Sequence, residues 1–437
     1  MKRTMFAAAA ALLAVAALPG RAAADTTAPP SPAAPVVWQP QGTAISGTAT
    51  SADAPALKPG TTYRDSIRPG QTRMYGVALD ARSSAYASAF AVPPAGSRVA
   101  YNDGIEIELT SADGTQCDSG EEHFDDDGDA RPIGTAVART ITDPDDICQD
   151  ANAYTLQVHR TSAGTSDPAP WPLEVRLVLE PPLASGAVPG PVPTTPSASP
   201  TPLTAGTPRP ASGGASFETA AAVRTGIWTD RVLPGETRFY KVPVDWGQQA
   251  TVFADFSSAP DRKGFDLVGE GTRLTVFSPT RQYVDGVDAG YDGDPAALVE
   301  QLAPVAYANR TSDDDTVQRV RYAGWYYLAV TVHPDVARMV KGALPITLRV
   351  EVGGAAQAGP HYSGDPASSG IGLSRRAAEA ADGTATGGSS ASAAPSSSAL
   401  RLLGFGAIGA GTVLLLSLAA WYVLARRQAL RSGRTAS

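Results

Sequence analysis

Carboxylates are the residues in this chain best placed to do chemistry. The densest run is His123-Phe124-Asp125-Asp126-Asp127-Gly128-Asp129. Carboxylates two apart beside a glycine turn are the donors that a hard cation takes, so Asp125, Asp127 and Asp129 form a candidate Ca²⁺ site. The spacing is not that of an EF-hand and lacks its closing glutamate. A solvated acidic loop is the simpler reading of the same residues. Asp143, Asp145 and Asp146 lie close to Cys148, and two further acidic groups have the same character: Asp285, Asp288, Asp292 and Asp294, then Asp313, Asp314 and Asp315. Apart from Ca²⁺, no cofactor is expected.

The four histidines, His123, His159, His333 and His361, form no tight metal-binding spacing. His159 and His333 close equivalent strand patterns, which predicts positions at a sheet edge or in a loop. There is no Gly-x-Ser-x-Gly elbow, phosphate-binding loop or dinucleotide fingerprint. A triad assembled only in space would leave no local signature, and the chain reads as a non-enzyme. Two cysteines, Cys117 and Cys148, fall within one stretch and read as a disulfide in an oxidising compartment.

Strands must position these groups. Tyr63-Arg-Asp65-Ser-Ile67-Arg-Pro69-Gly70-Gln-Thr72-Arg73-Met-Tyr75-Gly-Val77 recurs as Trp228-Thr-Asp230-Arg-Val232-Leu-Pro234-Gly235-Glu-Thr237-Arg238-Phe-Tyr240-Lys-Val242. Alternating apolar residues around Pro-Gly predict a β-hairpin, and its recurrence predicts duplicated domains. Alternation at Ile105-Glu-Ile107-Glu-Leu109 and at Arg273-Leu274-Thr-Val276 predicts further strands, while Tyr154-Thr-Leu156-Gln-Val158 and Leu173-Glu-Val175 have counterparts at Tyr326-Tyr-Leu328-Ala-Val330 and Ile346-Thr-Leu348. The Cys117–Cys148 span predicts a long loop with one strand, and 294–300 a short helix. Repeated Tyr75, Tyr154, Tyr240, Trp325 and Tyr326 read as core positions; a glycan platform would need them exposed. The fold class is all-β: two tandem antiparallel β-sandwiches, jelly-roll-like, at 44–183 and 215–352. A Pro-rich spacer at 184–214 and a Gly/Ala/Ser-rich linker at 353–398 complete the layout.

The ends bear on location. Lys2 and Arg3, an apolar run and Ala22-Ala23-Ala24 predict a signal peptide at 1–24, followed by a flexible, disordered leader at 25–43. Leu402 to Ala425 carries no charge and is long enough to cross about 30 Å of hydrocarbon. Trp421 and Tyr422 near one end, then Arg426 and Arg427, predict a C-terminal transmembrane α-helix at 399–425 with a basic cytoplasmic tail at 426–437. The expected location is the cell membrane, single-pass, with the N-terminus outside. The chain has 43 acidic and 35 basic residues, for a formal charge of −8. Lys2, Arg3, Arg21, Arg401, Arg426, Arg427, Arg431 and Arg434 lie near the termini, so the span between is more acidic still. Such a surface repels nucleic acid.

Ser216-Phe217-Glu218-Thr219-Ala followed by Val-Leu-Pro-Gly-Glu-Thr-Arg-Phe-Tyr resembles the pre-peptidase C-terminal family of bacterial β-sandwiches. The closing Tyr154-Thr-Leu156-Gln-Val158 and Tyr326-Tyr-Leu328-Ala-Val330 fit the same pattern. The layout as a whole resembles actinobacterial envelope proteins. It lacks the Asp-x-Ser-x-Ser metal motif of those that carry a von Willebrand A domain, since Asp255-Phe-Ser257-Ser-Ala259 fails at its last position. The resemblance implies a domain accessory to secreted hydrolases rather than a catalyst. A non-catalytic, membrane-anchored binding or scaffold protein of the bacterial cell envelope is therefore expected, with an envelope protein or cell-wall polysaccharide as partner. An accessory subunit of an envelope complex is the alternative. An extracellular hydrolase is disfavoured by the missing motifs.

Overall fold

The computed structural model describes residues 35, 37–94, 96–142, 145–190, 199–259 and 266–373. The predicted signal peptide, transmembrane helix and tail, together with Asp143, lie outside the described residues. Among the described residues no helix is long and apolar enough to cross a membrane.

Among the described residues, nineteen strands make four sheets. The first sandwich contains β1 (Thr43–Ala44), β2 (Thr62–Ile67), β3 (Thr72–Leu79), β4 (Ser84–Ala91), β5 (Gly104–Ser111), β6 (Gln116–His123), β7 (Ile133–Arg139), β8 (Asn152–Thr161) and β9 (Trp171–Glu180). The second contains β10 (Arg209–Pro210), β11 (Ala221–Ala222), β12 (Gly226–Val232), β13 (Glu236–Val244), β14 (Gln249–Phe256), β15 (Val268–Phe277), β16 (Tyr283–Tyr291), β17 (Ala296–Gln301), β18 (Gly324–Val332) and β19 (Leu344–Gly353). Sheet order β1-β2-β9-β4-β7 in the first corresponds to β10-β12-β19-β14-β17 in the second. Likewise β3-β8-β5-β6 corresponds to β13-β18-β15-β16, with β11 added at the edge. The same strand order in both halves is the structural form of the sequence repeat. Pairing is antiparallel except at the short β1–β2, β10–β12 and β11–β13 contacts, which are parallel.

The identities in the repeat have a local cause. Asp65 accepts hydrogen bonds from the Tyr75 hydroxyl (2.8 Å) and the Gly47 N–H (2.8 Å), while Arg73 donates to the Gly47 carbonyl (2.6 Å). Asp230, Tyr240, Gly213 and Arg238 repeat this with distances of 2.7, 2.7 and 2.9 Å. A side chain on Gly47 or Gly213 would strike the tyrosine ring, at 2.8 and 2.7 Å. The motif therefore pins the incoming chain across the hairpin. Gly70 and Gly235 hold the turn at φ 66° and 80°, a region glycine enters without steric cost. Tyr75, Tyr154, Tyr240 and Tyr326 are core residues, as their repetition implies, whereas Trp325 is half-buried under Lys241.

Strand β4 is buried on both faces, and this shapes the molecule. Its Ala85, Ala87, Ala89 and Ala91 enter the first sandwich's core, while Tyr86 and Phe90 point the other way. There Phe90, with Trp38, meets Phe217, Phe239 and Phe277 of the second sandwich, with ring centroids 4.8–5.8 Å apart. Glu174 on β9 receives the guanidinium of Arg281 at 2.5 Å, both fully buried. The two sandwiches are thus docked face to face through an aromatic seam rather than held apart.

Five expectations change. The expected disordered leader contributes Trp38, which is buried in the aromatic seam. Residues 294–300 are not helical: Leu298 and Glu300 face inward and β17 pairs with β14. A short α-helix instead spans Asp315–Gln318, capped by Asp314. The Cys117–Cys148 span holds two strands, β6 and β7, and the disulfide forms. The predicted spacer lies against the second sandwich through β10 and buried Ala211, and the predicted linker contributes Tyr362, bonded to Glu180, and buried Ile371.

Candidate functional site

A cleft of about 770 Å³ opens at one end of the seam. Its first wall is the edge of β6 and β7, with Asp118, Glu121, Glu122 and the disulfide loop. Both are edge strands of their sheets, and the disulfide fixes the loop above them. The second wall comes from the other sandwich: Gln282 and Tyr283 at the start of β16, Arg310 in a 3-10 turn, and Gln318, Arg319 and Arg321 around the short helix.

Each wall is held from behind. The Asp118 carboxylate accepts from the Ser119 N–H (2.9 Å) and the Ala138 N–H (2.7 Å), tying β6 to the free edge of β7. Burial raises its pKa against the opposing pull of those bonds and of Arg321 and Arg319. Glu122 is likewise raised by burial, opposed by Arg131 at 3.3 Å. Tyr283 is pushed up to about 12 by burial and by Asp285, Glu122 and Glu300. Across the cleft, Arg310 donates to Glu180 at 2.9 Å and stacks on the Tyr307 ring at 3.3 Å. Arg321 donates to the Gln282 side chain at 3.1 Å and lies over Tyr86. The site therefore sets carboxylate acceptors opposite guanidinium and amide donors. A polyhydroxylated ligand satisfies both walls, because each hydroxyl donates and accepts. A polyanion would be repelled by the acidic wall.

The sequence-derived Ca²⁺ residues sit elsewhere: Asp125 and Asp127 line a smaller seam pocket with His333, and Asp129 is buried beside that histidine. Their carboxylates already have partners: Asp129 with Arg131 at 2.9 Å, Asp125 with Arg131 at 3.2 Å and Arg273 at 2.8 Å, and Asp127 with the Tyr101 N–H at 2.7 Å. His333 lies in the loop after β18, as its place in the strand pattern implies, but is buried there: it accepts at Nδ1 from the Asp335 N–H and points Nε2 toward Asp129 at 4.0 Å. His159 lies on the interior strand β8, bonded to Thr72, and His361 is exposed. Asp145 and Asp146 line the large cleft, Asp314 caps the helix and Asp315 pairs with Arg319, whereas Asp288 and Asp294 are exposed. Sequence reasoning did not single out Arg310, Gln318, Arg319 or Arg321. The run Arg310 to Arg321 interrupts the strand alternation and is rich in arginine and aspartate, which was the available signal.

No protein-family model matches the chain, and no curated protein matches it. Among solved structures, the pre-peptidase C-terminal domain of collagenase from Bacillus anthracis is 12% identical, with a TM-score of 0.19, covering 29% of this chain and 94% of that one. The CBM22-1-CBM22-2 tandem domain of Xyn10C from Paenibacillus barcinonensis is 10% identical, with a TM-score of 0.20, covering 75% and 100%. The M60 catalytic domain with CBM51-1 and CBM51-2 from Clostridium perfringens ZmpB is 10% identical, with a TM-score of 0.19, covering 67% and 34%.

Proposed function

We propose that this chain is a non-catalytic binding protein of the bacterial cell envelope, anchored in the membrane by its C-terminal apolar run, with a cell-wall polysaccharide in the cleft between its sandwiches. The observation that carries the reading is the cleft's pairing of an acidic wall with an arginine and glutamine wall across the docked seam. Clefts between domains are common ligand sites, and alternating donors and acceptors suit hydroxyl-rich chains. The acidic span of the ectodomain speaks against nucleic acid.

The test is binding of soluble wall polysaccharide by the full chain, with Arg319→Ala and Gln318→Ala as variants. Both side chains are partly exposed at the cleft, so the fold survives their loss. Retention of wild-type polymer and at least about a tenfold loss in the double variant, equal to about 1.4 kcal/mol, supports the reading. Equal retention by both proteins refutes the cleft as the site. Recovery of a stoichiometric membrane partner without polysaccharide would favour the accessory-subunit reading.

A further inference from the structure

The outer face of the sheet β3-β8-β5-β6 carries a second group that could bind a ligand, sharing Glu121 with the rim of the cleft. Glu121 and His123 are two apart on β6, and so on one face of the sheet, and Glu106 stands directly opposite Glu121 on β5. One donor atom from each of Glu106, Glu121 and His123 lies within 4.8 Å of the other two. We propose that these three residues bind a divalent transition-metal ion of the Zn²⁺ class.

Three observations converge on this. Two carboxylates opposed across a ladder repel each other, a destabilising arrangement unless a cation lies between them. The adjoining hollow of about 660 Å³ is lined by Thr72, Glu106, Glu108, Glu121, Gln157 and His159 among others, with no lysine or arginine among its lining residues. Beside its one histidine, His159, a metal ion supplies the counter-charge that these carboxylates lack from lysine or arginine. The imidazole is also held in place: His123 lies across Gly104, its cross-strand partner, where a Cβ would come within 2.3 Å of its Cδ2. The glycine makes the space that lets the ring lie beside the carboxylates.

The donor set selects the metal. Two carboxylate oxygens and one imidazole nitrogen suit Zn²⁺, at about 2.0–2.2 Å from each donor, better than Ca²⁺, which takes six to eight oxygens. Donor atoms within 4.8 Å of one another can share one ion, with solvent completing the coordination. The sequence hid the site because Glu106 is remote from the Glu121-Glu122-His123 run and only strand pairing joins them. The inference does not rest on the ligand of the cleft.

Titration of the untagged, metal-free full chain with Zn²⁺ tests it, with Co²⁺ as a spectroscopic substitute. The expected result is one equivalent bound, visible Co²⁺ absorption showing nitrogen ligation, and at least about a tenfold loss of affinity in His123→Gln and Glu121→Gln. Glu108→Gln removes a charge from the same hollow but no ligand, and should keep wild-type affinity. Failure to bind one equivalent of Zn²⁺ overturns the proposal. So does a Glu108→Gln loss as large as that of His123→Gln, which would mean diffuse charge attraction. Circular dichroism of each variant separates misfolding from lost ligation, and His123→Asp, which restores a donor, should recover part of the affinity.

Discussion

Replacing Phe217 by alanine tests whether the two sandwiches are one cooperative body. The Phe217 ring lies 4.8–5.5 Å from those of Trp38, Phe90, Phe239, Phe277 and Tyr327, and the Arg281 guanidinium sits 4.9 Å from its centre. Loss of a buried phenylalanine costs about 3–5 kcal/mol. Part of that falls on docking, because Trp38 and Phe90 reach Phe217 from the first sandwich, while Phe239, Phe277 and Tyr327 belong to its own. At about 2 °C per kcal/mol for domains of this size, the onset of melting should fall by about 6–10 °C. The calorimetric trace should also split in two as the sandwiches uncouple. Phe124→Ala, inside the first core, is the comparison: it should destabilise without splitting the trace. A Phe217→Ala protein that melts in one transition within about 1 °C of wild type would refute the reasoning.

Reduction of Cys117–Cys148, which closes a loop with a separation of 31 residues, should cost about 3–4 kcal/mol, read as a lower denaturation midpoint in reducing buffer. Glu300, buried on the inner face of β17, has its pKa raised to about 8 by burial and by Asp285. The folded state then holds this proton more tightly than the unfolded chain, so its contribution to stability is lost as pH rises from about 4.5 to 8. Glu300→Gln should therefore flatten the pH dependence of the melting temperature over that window and raise it at pH 8; an unchanged profile would show that the group titrates normally. Asp230→Ala should cost about 2–3 kcal/mol, because it strips the Tyr240 hydroxyl and Gly213 N–H of their acceptor. Urea denaturation measures that loss.

The architecture was legible because duplication exposes it. Asp65, Arg73 and Tyr75 recur as Asp230, Arg238 and Tyr240, and together they build the knot that starts each sandwich. The disulfide was legible from compartment and count. The docking was not. Tyr86 and Phe90 alternate with alanines, a pattern that reads as an ordinary half-buried strand, yet small residues fill one face while aromatics fill the other. Only an all-buried strand with aromatic residues on its outer face distinguishes the two cases. The helix expected at 294–300 failed because alanine's helical preference is weak against the free edge of β14. The acidic run at Asp125 invited a cation, but the partners it found were Arg131 and Arg273, the latter far away in sequence.

Glu180 shows what the docked arrangement means for a chain made from its N-terminus. Its carboxylate takes donors from Tyr86 in the first sandwich, Arg310 in the second and Tyr362 beyond both. During synthesis the first sandwich is complete well before the other two donors exist. Until they arrive, Glu180 stays hydrated and the aromatic face of β4 stays bare. Completion of the second sandwich is thus recorded at one buried oxygen pair, and a chain that stops before that sandwich is made shows its sticky face to whatever surveys unfinished proteins.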